Sequence, residues 1–211
     1  RICASHASIT LSEAGATHQI LENIVRMKML PGMTVINPCD FNQTKNATLA
    51  IAAHYGPVYL RFGRPKVANF TPLNQPFEIG KGLLLKPGSD VTIIATGHLV
   101  WEALQAAEVL SSQSINAEVI NIHTIKPLDR SMIIESVTKT KCVVTAEEHN
   151  VFGGLGESVA GLLAQELPSP QEYVAMQDSF GESGTPAQLM NKYGLNSEAI
   201  VEKKKKVLLR K

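Results

Sequence analysis

The sequence predicts an α/β protein with parallel sheets covered by helices. Short apolar runs rich in β-branched residues alternate with longer segments whose apolar positions recur at helical spacing, and clusters of Pro, Gly and polar residues separate them. The chain has 211 residues, of which 44% are hydrophobic and 18% are charged, as in ordinary globular proteins. This length is sufficient for one large domain or for two of modest size.

The first block of elements lies within residues 1–62. Its predicted strands are 1–5, 33–36 and 58–62, and its predicted helices are 17–31 and 42–55. Thr17 is a suitable N-cap for the first helix, and Gly56 is a suitable terminator for the second. Three strands and two helices bury too little apolar surface for a standard doubly wound domain. We therefore expect this sheet to lack strands that precede Arg1, and we interpret the chain, which has no initiator Met, as a fragment or as one partner of a pair.

The second block follows a Pro-rich segment, residues 65–78, which we interpret as an extended linker. Its predicted strands are 91–96, 117–121, 142–147 and 172–176, and its predicted helices are 100–110, 130–138, 155–167, 185–192 and 198–209. This alternation predicts a separate open α/β sandwich. The predicted domains are therefore 1–70 and 79–211, joined by a linker at 71–78.

Charge and cysteine content limit the classes of partner. The formal net charge is +1, so no field is strong enough to gather nucleic acid or an anionic membrane, and we expect neither as a partner. Cys3, Cys39 and Cys142 are odd in number and widely spaced, which favours reduced, buried thiols in a cytoplasmic protein. No apolar run approaches the ~20 residues that a membrane helix needs.

The loop that follows the first predicted strand is rich in hydrogen-bonding side chains, among them His6 and His18. In open parallel sheets, loops at the carboxyl edge converge on one crevice, and the strand at 58–62 would deliver Arg64 to the same edge. Arg is suited to phosphate because its planar fork donates two parallel hydrogen bonds. From the residues alone, the prediction is an anion site, with a surface or capping role for the histidines and an ion pair of Arg64 with Glu13 as the alternatives.

Two other clusters have a structural and a functional interpretation. A Gly-rich turn at 153–156 before a predicted helix could bind phosphate on backbone N–H groups, although such turns are common. His123 and the residues at 147–149 have the composition of a metal or acid/base site. We favour structural roles for both clusters.

Several segments resemble transketolase blocks, in the same order along the chain. Residues 6–19, HASITLSEAGATHQ, align without a gap with the transketolase segment H-D-S-I-G-L-G-E-D-G-P-T-H-Q. The segments 30–40, 56–66, 123–129, 147–156 and 180–184 are each similar to further blocks of that family. The resemblance spans nearly the whole chain and is strongest to the separately encoded C-terminal subunits of split microbial transketolases. It implies the end of a pyrimidine-binding domain followed by the transketolase C-terminal domain.

The resemblance also implies roles for individual residues. His6 and Arg64 fall on the positions that hold the sugar phosphate. His18 falls on the histidine that contacts oxygens near the reacting carbon of the donor, which implies a catalytic as well as a substrate-binding role. The acidic residue that the family places four positions before this histidine is Ala14 here, which leaves the preferred sugar open.

What the resemblance places outside the chain is equally specific. The thiamine diphosphate and Mg²⁺ site, including the glutamate and the aromatic residue at the aminopyrimidine, is implied to lie upstream of Arg1. We therefore expect no turnover by the chain alone, and we expect an N-terminal half or a full-length counterpart as partner in a homo- or hetero-oligomer. The alternatives are a non-catalytic assembly or regulatory module, and half of a related enzyme such as deoxyxylulose-phosphate synthase or the β subunit of pyruvate dehydrogenase.

Overall fold

The computed structural model describes residues 1–211, apart from the side chain of Ser12. The strands are β1 Ile2–Ala4, β2 Thr34–Ile36, β3 Val58–Arg61, β4 Leu83–Lys86, β5 Val91–Ala95, β6 Ala117–Asn121, β7 Thr124–Lys126, β8 Val143–Asn150 and β9 Gln171–Met176. The helices are α1 Asn23–Lys28, α2 Phe41–Ala53, α3 Leu99–Ser112, α4 Arg130–Thr140, α5 Leu155–Glu166, α6 Pro186–Lys192 and α7 Ser197–Leu208, and a 3₁₀ helix spans Ile9–Ala14. The predicted α/β class is confirmed.

These strands form two sheets. The first has the order β1-β3-β2-β7, in which β3 lies parallel to both β1 and β2. The second has the order β4-β6-β5-β8-β9, with β4 antiparallel at its edge and the other four strands parallel. Because β7 comes from the second block but pairs antiparallel with β2, the two blocks are joined by backbone hydrogen bonds as well as by the chain. The domain limits at 1–70 and 79–211 stay a prediction.

The second sheet is buried on both faces. Ile93 of β5 belongs to a core that includes residues of α3 and α7, whereas the adjacent Ile94 belongs to a core formed with α4 and α5. Successive side chains of a strand point to opposite faces, so consecutive apolar residues are required in a strand covered on both sides. The sheet is therefore held between two helical layers.

Three expectations about local structure are wrong. Helix α1 begins at Asn23 with Glu22 at its N-cap position, and not at Thr17, because residues 17–22 form turns that tether the loop before them. Cys3 is exposed, since the strand that contains it lies at the edge of its sheet, whereas Cys39 and Cys142 are buried as expected. The 3₁₀ helix, β4 and β7 are absent from the sequence-based prediction. Within the described residues, no helix combines the length and apolarity needed to span a bilayer.

Candidate functional site

The loops that carry His6 and Arg64 leave the same edge of the first sheet. β1 and β3 are parallel neighbours with Ala4 opposite Arg61, so His6 and Arg64 follow within three residues of the paired strand ends. The pairing continues beyond the strands, because the Phe62 N–H donates to the Ala4 carbonyl (3.1 Å) and the Ala7 N–H donates to the Phe62 carbonyl (3.3 Å). Both His6 and Arg64 are exposed.

His18 is brought to this region by the folding back of residues 15–20. The Ser8 N–H donates to the Ile20 carbonyl (3.2 Å), and the Gln19 side-chain amide donates to the Ile9 carbonyl (3.1 Å). His18 directly precedes these two tethered residues and is exposed, with its Nδ1 2.9 Å from Thr17 Oγ1. The structure thus brings the loop of His18 next to the loop of His6.

The backbone of the His6 loop is held in a high-energy conformation. The φ angles of His6 and Ser8 are 63° and 79°, in the left-handed region that costs an L-residue with a Cβ on the order of 1–2 kcal/mol. Ser8 is fixed there by its backbone bond to Ile20 and by a hydrogen bond from its hydroxyl to the Glu148 carbonyl. Long-range bonds therefore determine where this loop presents its side chains.

A buried guanidinium lies at the end of β3, below the exposed edge. Arg61 donates to Asn23 Oδ1 (3.0 Å), to Asn37 Oδ1 (3.1 Å) and to the Glu148 carbonyl (2.7 Å). Burial lowers the pKa of Arg61, against the opposing effect of the nearby Glu148 and Glu147 carboxylates. Arg61 is not among the site residues predicted from the sequence, although an Arg within an otherwise apolar predicted strand is an available signal.

Glu148 connects the first block to the second. Its Oε1 accepts hydrogen bonds from the Thr10 N–H (2.8 Å) and the Thr10 hydroxyl (2.6 Å), and its Oε2 lies 3.0 Å from His98 Nδ1. Burial alone would raise the pKa of Glu148, but the bonds from His98 and Thr10 and the charge of Arg61 outweigh it and lower the pKa. His98 is therefore a further residue near the candidate site that is not among those predicted from the sequence.

The Gly-rich turn at 153–156 is not free to bind a phosphate. Glu147 already occupies the start of α5, because its carboxylate accepts the N–H groups of Leu155 (2.7 Å) and Gly156 (2.8 Å). Burial raises the pKa of Glu147 despite these two bonds. The phosphate-binding interpretation of this turn is wrong, since a side chain of the chain itself supplies the anion.

The two buried histidines also have structural surroundings. His123 packs on Phe77 with ring centroids 4.1 Å apart, and its Nδ1 lies 3.0 Å from Thr124 Oγ1. His149 Nδ1 lies 2.8 Å from the Asn150 carbonyl. Burial lowers the pKa of His123 to about 4 and that of His149 to about 3, so both imidazoles are neutral at pH 7.

The residues of this chain do not fit a complete metal and diphosphate site. Throughout the part of the chain that the structure describes, no three His, Cys, Asp or Glu side chains are grouped as metal ligands. The buried carboxylates of Glu147 and Glu148 are already occupied by N–H, hydroxyl and imidazole groups. We therefore derive no step through a metal ion or a diphosphate cofactor.

Both parts of this two-sheet α/β fold match a known enzyme family. Residues 1–69 match the family model described as the transketolase pyrimidine binding domain, and residues 80–200 match the one described as the transketolase C-terminal domain. The chain belongs to the transketolase family. The resemblance inferred from the sequence is confirmed.

Individual relatives place the chain more closely. It is 43% identical over its whole length to a 6-deoxy-6-sulfo-D-fructose transketolase subunit of Clostridium sp. (strain MSTE9), and 42% identical over 96% of its length to a putative transketolase C-terminal section of Methanocaldococcus jannaschii. The chain spans 66% and 64% of these relatives, slightly less than two thirds. A solved structure described as a split gene transketolase, inactive β4 tetramer, superposes with a TM-score of 0.93 at 43% identity, covering 99% of this chain and 66% of the other.

Proposed function

We propose that this chain is the C-terminal portion of a transketolase that moves a two-carbon ketol unit between sugar phosphates. In this proposal Arg64 and His6 hold the anionic end of the sugar, and His18 contacts oxygens near the reacting carbon. The observation that supports it is the common edge of β1 and β3, which places the loops of His6 and Arg64 side by side. The adjoining fold of residues 15–20 adds His18 to the same region.

The chemistry of these side chains fits such a substrate. A guanidinium can donate two parallel, charge-assisted hydrogen bonds to a phosphate, and an exposed imidazole can add a third donor. An imidazole near a reacting oxygen can hold developing negative charge or pass a proton to it. His18 therefore acts in catalysis, whereas His6 and Arg64 act in binding.

The remaining parts of the proposal concern the complete enzyme. Thiamine diphosphate supplies the carbanion chemistry when it is bound, and its site and that of Mg²⁺ are built mainly by a partner chain. The relative described as an inactive β4 tetramer supports the expectation that a chain of this kind assembles without activity of its own. We place the complete enzyme in the cytoplasm, as a dimeric or larger assembly that acts in the pentose phosphate pathway.

Reconstitution tests the proposal. The chain is mixed with a candidate N-terminal half, thiamine diphosphate and Mg²⁺, and transfer of the two-carbon unit between sugar phosphates is assayed. We expect activity from the mixture and none from the chain alone. A stable, correctly assembled mixture without ketol transfer would favour the second candidate function, an assembly module, which the inactive tetramer of the relative also supports.

Substitution of Arg64 separates the two candidates. Loss of a charged hydrogen bond of roughly 1.5–3 kcal/mol predicts that Arg64→Ala raises KM for phosphorylated sugars about 10- to 100-fold in the reconstituted enzyme. Arg130→Ala is the matched control, because Arg130 is exposed on α4 and pairs only with Glu166 among the described residues. If Arg64→Ala changes KM no more than Arg130→Ala does, Arg64 has no part in substrate binding.

A further inference from the structure

A cavity of about 500 Å³ opens beside Arg64, between the loops that follow β2 and β3. Its walls are formed by residues 38–41, by residues 62–67 and by His98 at the start of α3. Phe41 and Phe62 give it an apolar side, and Phe41 is 69% exposed. The cavity is therefore large enough for a small organic anion and has both polar and apolar surfaces.

Two cations line this cavity. Arg64 and Lys66 are separated by one residue in the same loop, and both are exposed. None of the ion pairs between described residues contains Arg64 or Lys66. Two positive charges are therefore available to one ligand.

The acidic residue of the cavity wall has no hydrogen-bonding capacity to spare for these cations. Asp40 Oδ1 accepts the Gln43 N–H (2.9 Å) and the Thr71 hydroxyl (2.7 Å). Asp40 Oδ2 accepts the N–H groups of Phe70 (2.9 Å) and Thr71 (2.7 Å). Its negative charge is thus directed at backbone and hydroxyl donors on the other side of the wall.

The cationic loop rests on a fixed support. The imidazole of His98 lies directly against Gly63, where an added Cβ would be 2.1 Å from His98 Cε1. The ring is itself held at Nδ1 by the buried Glu148 carboxylate, 3.0 Å away. The backbone of the loop is therefore placed before any ligand arrives, which lowers the entropic cost of binding.

We propose that this cavity binds the anionic end group of the substrate, with Lys66 as a specificity-determining residue that favours a doubly charged phosphate over a singly charged sulfonate. The inference rests on the proposed function, because it assigns a second cation to the anion site of Arg64. His6 follows the neighbouring strand β1 and does not line the cavity, so within the cavity the two cations are Arg64 and Lys66. A phosphate monoester carries a charge near −2 above its second pKa of about 6, whereas a sulfonate carries −1. The attraction to a cation scales with the product of the charges, so removal of one cation affects the dianion more strongly.

Binding of two small probes to the full chain tests this assignment without any enzymatic assay. The dissociation constants of methyl phosphate and methanesulfonate are measured by NMR titration at pH 7.5 for the wild type and for the variants Lys66→Ala, Arg64→Ala and Lys45→Ala. Lys45→Ala is the control, because it removes the same formal charge from a residue that is exposed on α2 and does not line the cavity. Far-UV circular dichroism verifies that each variant is folded.

We expect Lys66→Ala to weaken methyl phosphate binding about tenfold, as for loss of one charge-assisted bond. Methanesulfonate carries half the charge of methyl phosphate, so removal of the Lys66 charge should cost half as much binding free energy. Its binding should therefore weaken only about threefold. Lys45→Ala should change neither constant by more than about twofold.

Other results overturn the inference. Equal losses for the two probes contradict the preference for a dianion, and equal effects of Lys66→Ala and Lys45→Ala contradict a specific role of Lys66. If Lys66→Ala is without effect but Arg64→Ala weakens both probes, the inference fails while the proposed function stands. If neither Lys66→Ala nor Arg64→Ala changes the dissociation constant of either probe, the anion site of the proposed function fails as well.

Discussion

His123 shows how burial converts a titratable residue into a structural one. Its imidazole is 1% exposed, stacks on Phe77 and bonds to Thr124, so the surroundings favour the neutral ring. Burial lowers its pKa to about 4, although the nearby Asp129 carboxylate acts in the opposite direction. Because an unfolded histidine has a pKa of about 6.5, the unfolded chain binds more protons than the folded chain between these values.

The sign of this difference predicts a loss of stability on acidification. As the pH falls from about 6.5 to about 4, His123 should lower the free energy of unfolding by ~1.4 kcal/mol per pH unit. His123→Phe keeps the aromatic contact with Phe77 and removes the titrating group. The free energy of unfolding should therefore fall less steeply with pH in the variant, by about 1.4 kcal/mol per pH unit, which corresponds to one proton. Urea unfolding at pH 6.5, 5.5 and 4.5 measures it, and parallel curves for wild type and variant would contradict the account.

Individual residues also show the limits of sequence reasoning. The position of His6, His18 and Arg64 after predicted strands indicates an anion site, whereas their individual roles are implied only by the resemblance and stay a prediction. The parallel pairing of β1 with β3 explains why the loops of His6 and Arg64 are neighbours. Arg61 was missed because its partners, Asn23, Asn37 and the Glu148 carbonyl, come from three separate parts of the chain. A periodicity of apolar residues contains no information about such long-range hydrogen bonds.

At the scale of elements, the start of α5 depends on a glycine that allows a carboxylate to approach. A Cβ on Gly154 would lie 2.1 Å from Glu147 Oε2, the oxygen that accepts the Leu155 N–H. The backbone of Gly154 has a φ of −82°, which any residue can adopt, so the constraint is one of space. Glu147 and the first turn of α5 are thus a single unit.

Substitution of two glycines near and within α5 tests this constraint. Gly154→Ala should destabilise the protein by roughly 1–3 kcal/mol, because the new methyl group must displace the Glu147 carboxylate. Gly161→Ala is the control, since Gly161 lies in the same helix with no atom within 4 Å of an added Cβ. It should instead stabilise the helix by about 0.5–1 kcal/mol. Thermal unfolding measures both variants, and a stabilising effect of Gly154→Ala would contradict the steric argument.

The predictability of the elements follows their length and burial. The strands and helices from β5 to α7 were predicted to within a few residues, apart from β7. The helices have apolar positions at helical spacing, and the strands that are covered on both faces appear as continuous apolar runs. β4 and β7 have four and three residues, and their pairing with β6 and β2 is decided by the tertiary fold. The false start of α1 at Thr17 has the same cause, because Gln19 and Ile20 form long-range hydrogen bonds with Ile9 and Ser8 in place of helical ones.

At the scale of the whole molecule, buried polar groups join the two sheets. Arg61 at the end of β3 reaches the carbonyl of Glu148 in β8, and the Glu148 carboxylate reaches Thr10 and His98. β7 adds a backbone connection from the second block to the first sheet. Disruption of this network leaves donors and acceptors buried without partners, so the two sheets are expected to unfold together.

The substitution Arg61→Leu tests this cooperativity. Trp101, the single tryptophan, lies in α3 of the second block, whereas far-UV circular dichroism reports on both blocks. In the wild type the two signals should give one urea midpoint, because the network transmits the loss of either sheet to the other. Arg61→Leu should lower the free energy of unfolding by about 3–5 kcal/mol, since Asn23, Asn37 and the Glu148 carbonyl each lose a buried donor. The control Arg130→Ala removes an exposed ion pair and should lower it by less than about 1 kcal/mol. Two separate midpoints in the wild type would show that each sheet is stable without the other. Equal losses in the two variants would show that the Arg61 network contributes no more stability than an exposed ion pair.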